Sequence, residues 1–162
     1  MQSVLRKLMG VFAVAAFAAS MSSVSAQSLN PGMVGSWKLN VEKSKYSPGP
    51  APKSNMVTFE PAGAGVKVTT KGVNADGSPS ATEYTANYDG KEVPMKGSAT
   101  IDTVSLKRID ALTTVRTDKK GGKEVQTIRR EIAKDGKTFT ATIKGTNAKG
   151  EPVHNVLLLE KQ

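Results

Sequence analysis

The chain has no cysteine, which excludes a disulfide framework, a thiolate metal site and a cysteine nucleophile. It has one histidine, His154, so a histidine-cluster metal site is excluded as well. Aromatic residues make up only 5% of the 162 positions, with a single tryptophan. No serine stands in a G-x-S-x-G or S-x-x-K setting, and a triad would have to use His154, whose strand parity opposes Leu157 and Leu159. The carboxylates Glu83, Glu92, Glu124 and Glu131 are scattered and mostly at outward positions. Gly63-Ala64-Gly65 reads as a turn and not a phosphate loop, because no helix follows it. These absences predict a protein that is not an enzyme, with no catalytic residues, no metal and no cofactor.

Acid is also scarce. Lys and Arg number 23 against 14 Asp and Glu, a formal charge of +9. The lysines are spread over turns and outward strand positions, without the interleaved aromatics of a nucleic-acid surface. The excess suits solubility and the protection of sheet edges. Outside the cytoplasm it would meet anionic envelope components.

What is present begins with an N-terminal address. Arg6 and Lys7 precede an apolar run, Leu8 to Ala19, and Val24-Ser25-Ala26 supplies small residues before Gln27. This is the pattern of a cleaved signal peptide, with the cut between Ala26 and Gln27. The run is shorter than the roughly 20 apolar residues of a membrane span. The expectation is a periplasmic or secreted monomer with no transmembrane segment once the signal is removed. Residues 1–26 are then the signal, and 27–162 form one domain. With Arg6 and Lys7 gone, 21 minus 14 leaves +7.

After residue 26 the chain holds 15 Thr and 12 Val against 7 Leu. Branched Cβ atoms favour strands, and no segment keeps a long period of 3.6. Short alternating runs between turn signals predict an all-β chain of about 8–10 strands. The expected strands are 37–41, 56–60, 66–70, 82–88, 92–95, 102–108, 112–117, 124–132, 138–144 and 153–160. The Pro-rich stretch 42–53 is read as a loop without helix, and Asp89-Gly90 as a tight hairpin turn. A meander of this length disposes of its edges by closing into an up-and-down barrel. Val156 to Leu159 is apolar at every position, as expected of a strand covered on both sides where the barrel closes on its first strand. The other reading is an exposed stripe for a partner.

Gly35-Ser36-Trp37, at the start of such a meander, resembles the G-x-W motif of the calycin superfamily, the lipocalins and fatty-acid-binding proteins. The stretches 127–131, 135–137 and 159–161 are similar to the closing hairpins of intracellular lipid-binding proteins. Residues 35–40, 43–53 and 144–147 resemble segments of small secreted bacterial lipocalin-like proteins of unknown function. The resemblance implies a calycin-like β-barrel and no particular activity. It also has departures. The Arg-x-Tyr pair that holds a lipid carboxylate in fatty-acid-binding proteins falls here on Leu157 and Leu159, and the two capping helices fall on the Pro-rich loop.

The resemblance makes Gly35 and Trp37 a structural barrel plug, with Arg129 or Arg130 stacked on the indole. Alternation between Ile128 and Ile132 turns Arg130 inward. Arg116 shares a parity with Leu112, and Arg108 with Val104 and Leu106. Tyr84, Tyr88, Phe59 and Phe139 face the interior on the same reasoning. Arg130, Arg116 and these four aromatics are therefore the candidate ligand-binding residues. The function expected is binding of a small apolar or amphipathic ligand inside the barrel. The alternative is an envelope interaction protein with a filled interior that uses its basic surface or its last strand.

Overall fold

The computed structural model describes residues 30–162; the expected signal and its cleavage at Ala26-Gln27 lie outside them. A 3-10 turn, Pro31–Met33, leads into ten strands: β1 Gly35–Lys45, β2 Ser54–Ala62, β3 Gly65–Val73, β4 Pro79–Ala86, β5 Val93–Pro94, β6 Thr103–Arg108, β7 Thr113–Lys120, β8 Lys123–Ile132, β9 Thr138–Thr146 and β10 Pro152–Lys161. They form one antiparallel sheet in the order β4-β3-β2-β1-β10-β9-β8-β7-β6-β5. The sheet is an all-β meander curled into a nearly closed barrel. No described helix is long and apolar enough to cross a membrane.

The first and last strands pair, Trp37 with Lys161 and Leu39 with Leu159. Leu157 and Leu159 line the interior, while Val156 and Leu158 are half-buried on the other face. The closure on the first strand is as the apolar run predicted, but the outer face of the strand is half-buried and not fully covered. The two edges are β4 and β5, and a bridge just past β5 ties that end back to β4: Glu83 and Lys96 exchange backbone hydrogen bonds of 3.1 and 2.9 Å. Gly97 follows at φ +78°, where a Cβ would lie 2.1 Å from the Ala81 carbonyl oxygen. Only glycine permits the backbone to approach β4 that closely.

Several local expectations are corrected. Asp89-Gly90 makes no hairpin between neighbouring strands, because β4 and β5 are the two ends of the sheet. The segment crosses the closed end instead, with Asp89 bridged to Lys107 and the Gly90 N–H donating to Leu106 O at 2.9 Å. Leu112 is not an inward strand residue; it sits in the β6–β7 turn, exposed. Strand β2 continues through Pro61, since β1 begins at Gly35 opposite Phe59 and asks for no partner there.

The Pro-rich stretch contains no helix, as expected, but β1 runs on to Lys45. Its register with β10 slips between Asn40 and Lys45. Ser44 bridges the slip: its Oγ donates to Asn40 O at 2.6 Å and accepts from the Leu158 N–H at 3.0 Å. A hydroxyl thus replaces the ladder partner that β10 loses.

Candidate functional site

Trp37 closes one end of the barrel. It is fully buried and meets Phe139 edge-to-face, centroids 4.9 Å apart, and Phe139 meets Phe59 at 6.0 Å in the same way. The indole Nε1 donates to Met33 O at 2.9 Å, which ties the 3-10 turn across the opening. Gly35 has φ +117°, which explains the glycine of the G-x-W motif. The cation on Trp37 is not an arginine. Lys161 Nζ stands 5.1 Å from the ring centroid and donates to Gly32 O at 3.1 Å. Register decides this, for Lys161 is the residue paired with Trp37. Arg129 points outward and pairs with Glu131 at 3.1 Å.

Arg130 instead stands on the next ring inward, its Cζ 5.5 Å from the centroid of Phe59. It is only 6% exposed. Its polar contact is a long one, Nη2 to the Tyr84 hydroxyl at 3.5 Å. Among the described residues no carboxylate pairs with it.

Strand β7 presents a polar inner row: Thr114, Arg116 and Asp118 are all buried. Arg116 Nη2 donates to Asp118 Oδ2 at 2.6 Å, and Nε lies 2.6 Å from Oδ1 without an aligned hydrogen bond. Gln126 Nε2 also donates to Oδ2, at 2.6 Å. The Arg116 guanidinium lies 5.4 Å from the Tyr84 ring centroid. Burial works against its charge, yet Tyr84 and Asp118 outweigh that penalty and raise its pKa above the ordinary arginine value. Arg108 is half-buried at the closed end, 6.0 Å from the Tyr88 ring. Burial pushes the Tyr88 phenol up to about 12, with Arg130 and Arg108 opposing the rise and Tyr84 adding to it.

Above Phe139 and Arg130 the interior is not filled. A cavity of about 220 Å³ is walled by Val57, Ile128, Ile143, Leu157 and their neighbours, with Arg130 and Arg116 among its lining. Asn55 lines it too, and its Oδ1 is buried without a hydrogen-bond partner. Ile101 and Gln126 belong both to this cavity and to an outer one of about 590 Å³ between the hairpin turns, lined also by Lys120 and Asn147. The arrangement is a charged floor, an apolar sleeve and a route outward at the uncapped end.

Arg130, Arg116 and Phe139 therefore meet in one cavity. Tyr84 and Phe59 support the two guanidiniums from behind, and Tyr88 lies apart at the closed end with Arg108. Sequence reasoning missed Asp118, Gln126 and Asn55. For Asp118 the signal was present: it stands two residues after Arg116 on the same strand, so it shares the same face. His154 is exposed.

No family model matches the chain, and no curated protein matches it in sequence. Among solved structures it is similar to zebrafish ileal bile acid-binding protein complexed with cholic acid, with a TM-score of 0.50 and 13% identity over 81% of this chain and 99% of that one. At this identity the likeness shows the fold alone, a nearly closed, calycin-like barrel of ten antiparallel strands.

Proposed function

We propose that this protein is an exported barrel that binds a small amphipathic ligand, apolar along its length and carrying one negative charge at its head. The observation that carries the reading is Arg130. A buried guanidinium without a counter-charge is costly, and this one stands at the floor of a cavity whose walls are mostly apolar. An anionic head placed there supplies the missing partner through a charge-assisted hydrogen bond. Asn55 Oδ1 offers an acceptor to a donor group further up the ligand. A cavity of about 220 Å³ lies below the roughly 300–1,000 Å³ of drug-sized pockets, which favours a small head with its tail in the sleeve.

The test is calorimetric titration with octyl sulfate, a simple anionic amphiphile. Wild type should bind it, and Arg130→Gln should weaken binding about 10- to 100-fold, the range for a hydrogen bond to a charged group. Equal affinity in the variant overturns the reading. Native mass spectrometry of protein taken gently from its own envelope then gives the mass of the natural ligand.

Export rests on the N-terminal pattern and on the resemblance to small secreted bacterial lipocalin-like proteins. Sequencing the mature N-terminus should begin at Gln27, and retention of Met1 overturns it.

A further inference from the structure

Three side chains inside the barrel are charged and buried: Arg116, Asp118 and Arg130. They do not play equal parts. Arg116 and Arg130 line the cavity, whereas Asp118 stands behind Arg116, 0% exposed and away from the lining. Two positive charges and one negative leave a sum of +1. Both guanidiniums pack on the same tyrosine: Arg116 lies over the Tyr84 ring, and Arg130 reaches its hydroxyl. A head group at the cavity floor, which both guanidiniums line, would meet both.

Resting on the reading of Arg130 given above, we infer that Asp118 is a specificity-determining residue. By neutralising Arg116 it leaves a single free charge in the cavity and so selects monoanionic over dianionic head groups. A dianion on Arg130 alone would carry one buried charge without a partner, and the low dielectric of the interior makes that expensive. Asp118 achieves this without touching the ligand. Gln126, held to the same carboxylate oxygen, fixes the orientation in which Asp118 faces Arg116. The remaining groups nearby do not alter the count. Arg108 is half-buried at the closed end and outside the cavity lining, burial holds the Tyr88 phenol above its ordinary value and so in its neutral form, and His154 lies on the outer surface.

The experiment compares octyl sulfate with octyl phosphate, whose heads are similar in shape. The phosphate carries about one charge near pH 5 and about two near pH 8. Wild type should bind octyl phosphate at least about tenfold more weakly than octyl sulfate near pH 8, and the gap should close near pH 5. Asp118→Asn should reverse the preference near pH 8 and leave octyl sulfate bound. Arg130→Gln combined with Asp118→Asn should recover the sulfate binding that Arg130→Gln loses, now on Arg116. An unchanged preference in Asp118→Asn, with only stability lowered, would mean that Asp118 is structural and overturns the inference. So would wild-type binding of octyl phosphate that tightens from pH 5 to pH 8, a result that needs no variant. If wild type binds neither amphiphile, the reading of Arg130 fails, and this inference falls with it.

Discussion

Trp37→Ala should lower the stability of the barrel by about 3–5 kcal/mol, the usual cost of removing a large aromatic from a core. For a domain whose whole stability is about 5–15 kcal/mol, this is a large share to rest on one side chain. The indole is fully buried, it contacts Phe139 edge-to-face, and its Nε1 holds Met33 O. Truncation opens a cavity between β1 and β9 and leaves a buried carbonyl without its donor. Lys161 loses the ring beneath its ammonium. Thermal unfolding followed by circular dichroism should show Tm falling by roughly 10–20 °C. Trp37→Phe keeps an aromatic body but loses the hydrogen bond and the volume of the indole's second ring; its loss should fall below that of Trp37→Ala, at about 1–3 kcal/mol. A Trp37→Ala protein that melts within a few degrees of wild type would mean that the plug is not what closes this end.

The alternation of residues carried most of the fold. Val66, Val68, Val104, Leu106, Phe139 and Ala141 are inward at the positions their parity gives, because one buried face per strand fixes register strongly. The first strand also told how the barrel ends, since glycine and tryptophan two apart put a positive φ and a large plug in one place. What parity does not carry is which strands are neighbours where the sheet stops. Asp89-Gly90 has the chemistry of a tight turn, yet the sheet has its seam there, and a seam is a property of the whole barrel. The same limit applies to the cation on Trp37. Sequence order brings no hint that Lys161, 124 positions away, is its cross-strand partner. The site was half legible. Arg130 was legible as inward because Ile128 and Ile132 flank it in alternation; Arg116 was a candidate through its parity with Leu112, although Leu112 itself lies exposed in the β6–β7 turn and the buried neighbours of Arg116 on that face are Thr114 and Asp118. Asp118 is not legible from apolar rows, because a carboxylate interrupts them, although alternation from Arg116 places it on the same inner face.

Asp118→Ala should cost about 3–5 kcal/mol, a loss comparable to that of the plug, for an electrostatic reason. The carboxylate makes close contacts with Arg116 and accepts from Gln126, so its removal leaves an uncompensated guanidinium in the interior. Breaking one side of such a pair is strongly destabilising, whereas replacing both sides by apolar groups of similar size is often neutral or better. Arg116→Met with Asp118→Leu should therefore recover most of what Asp118→Ala loses, as read from urea unfolding midpoints. Because Arg130 is untouched, that double variant should still bind octyl sulfate. Asp118→Ala alone should gain stability when the amphiphile is added, by about 2.7 kcal/mol at one hundred times its dissociation constant, since the anion reaches a folded state in which two guanidiniums await it. If Asp118→Ala loses less than about 1 kcal/mol, the pair behaves as an exposed one, and water must reach Arg116 from the cavity. In that case the floor of the barrel is wet, and the apolar sleeve above it is the part that holds the ligand.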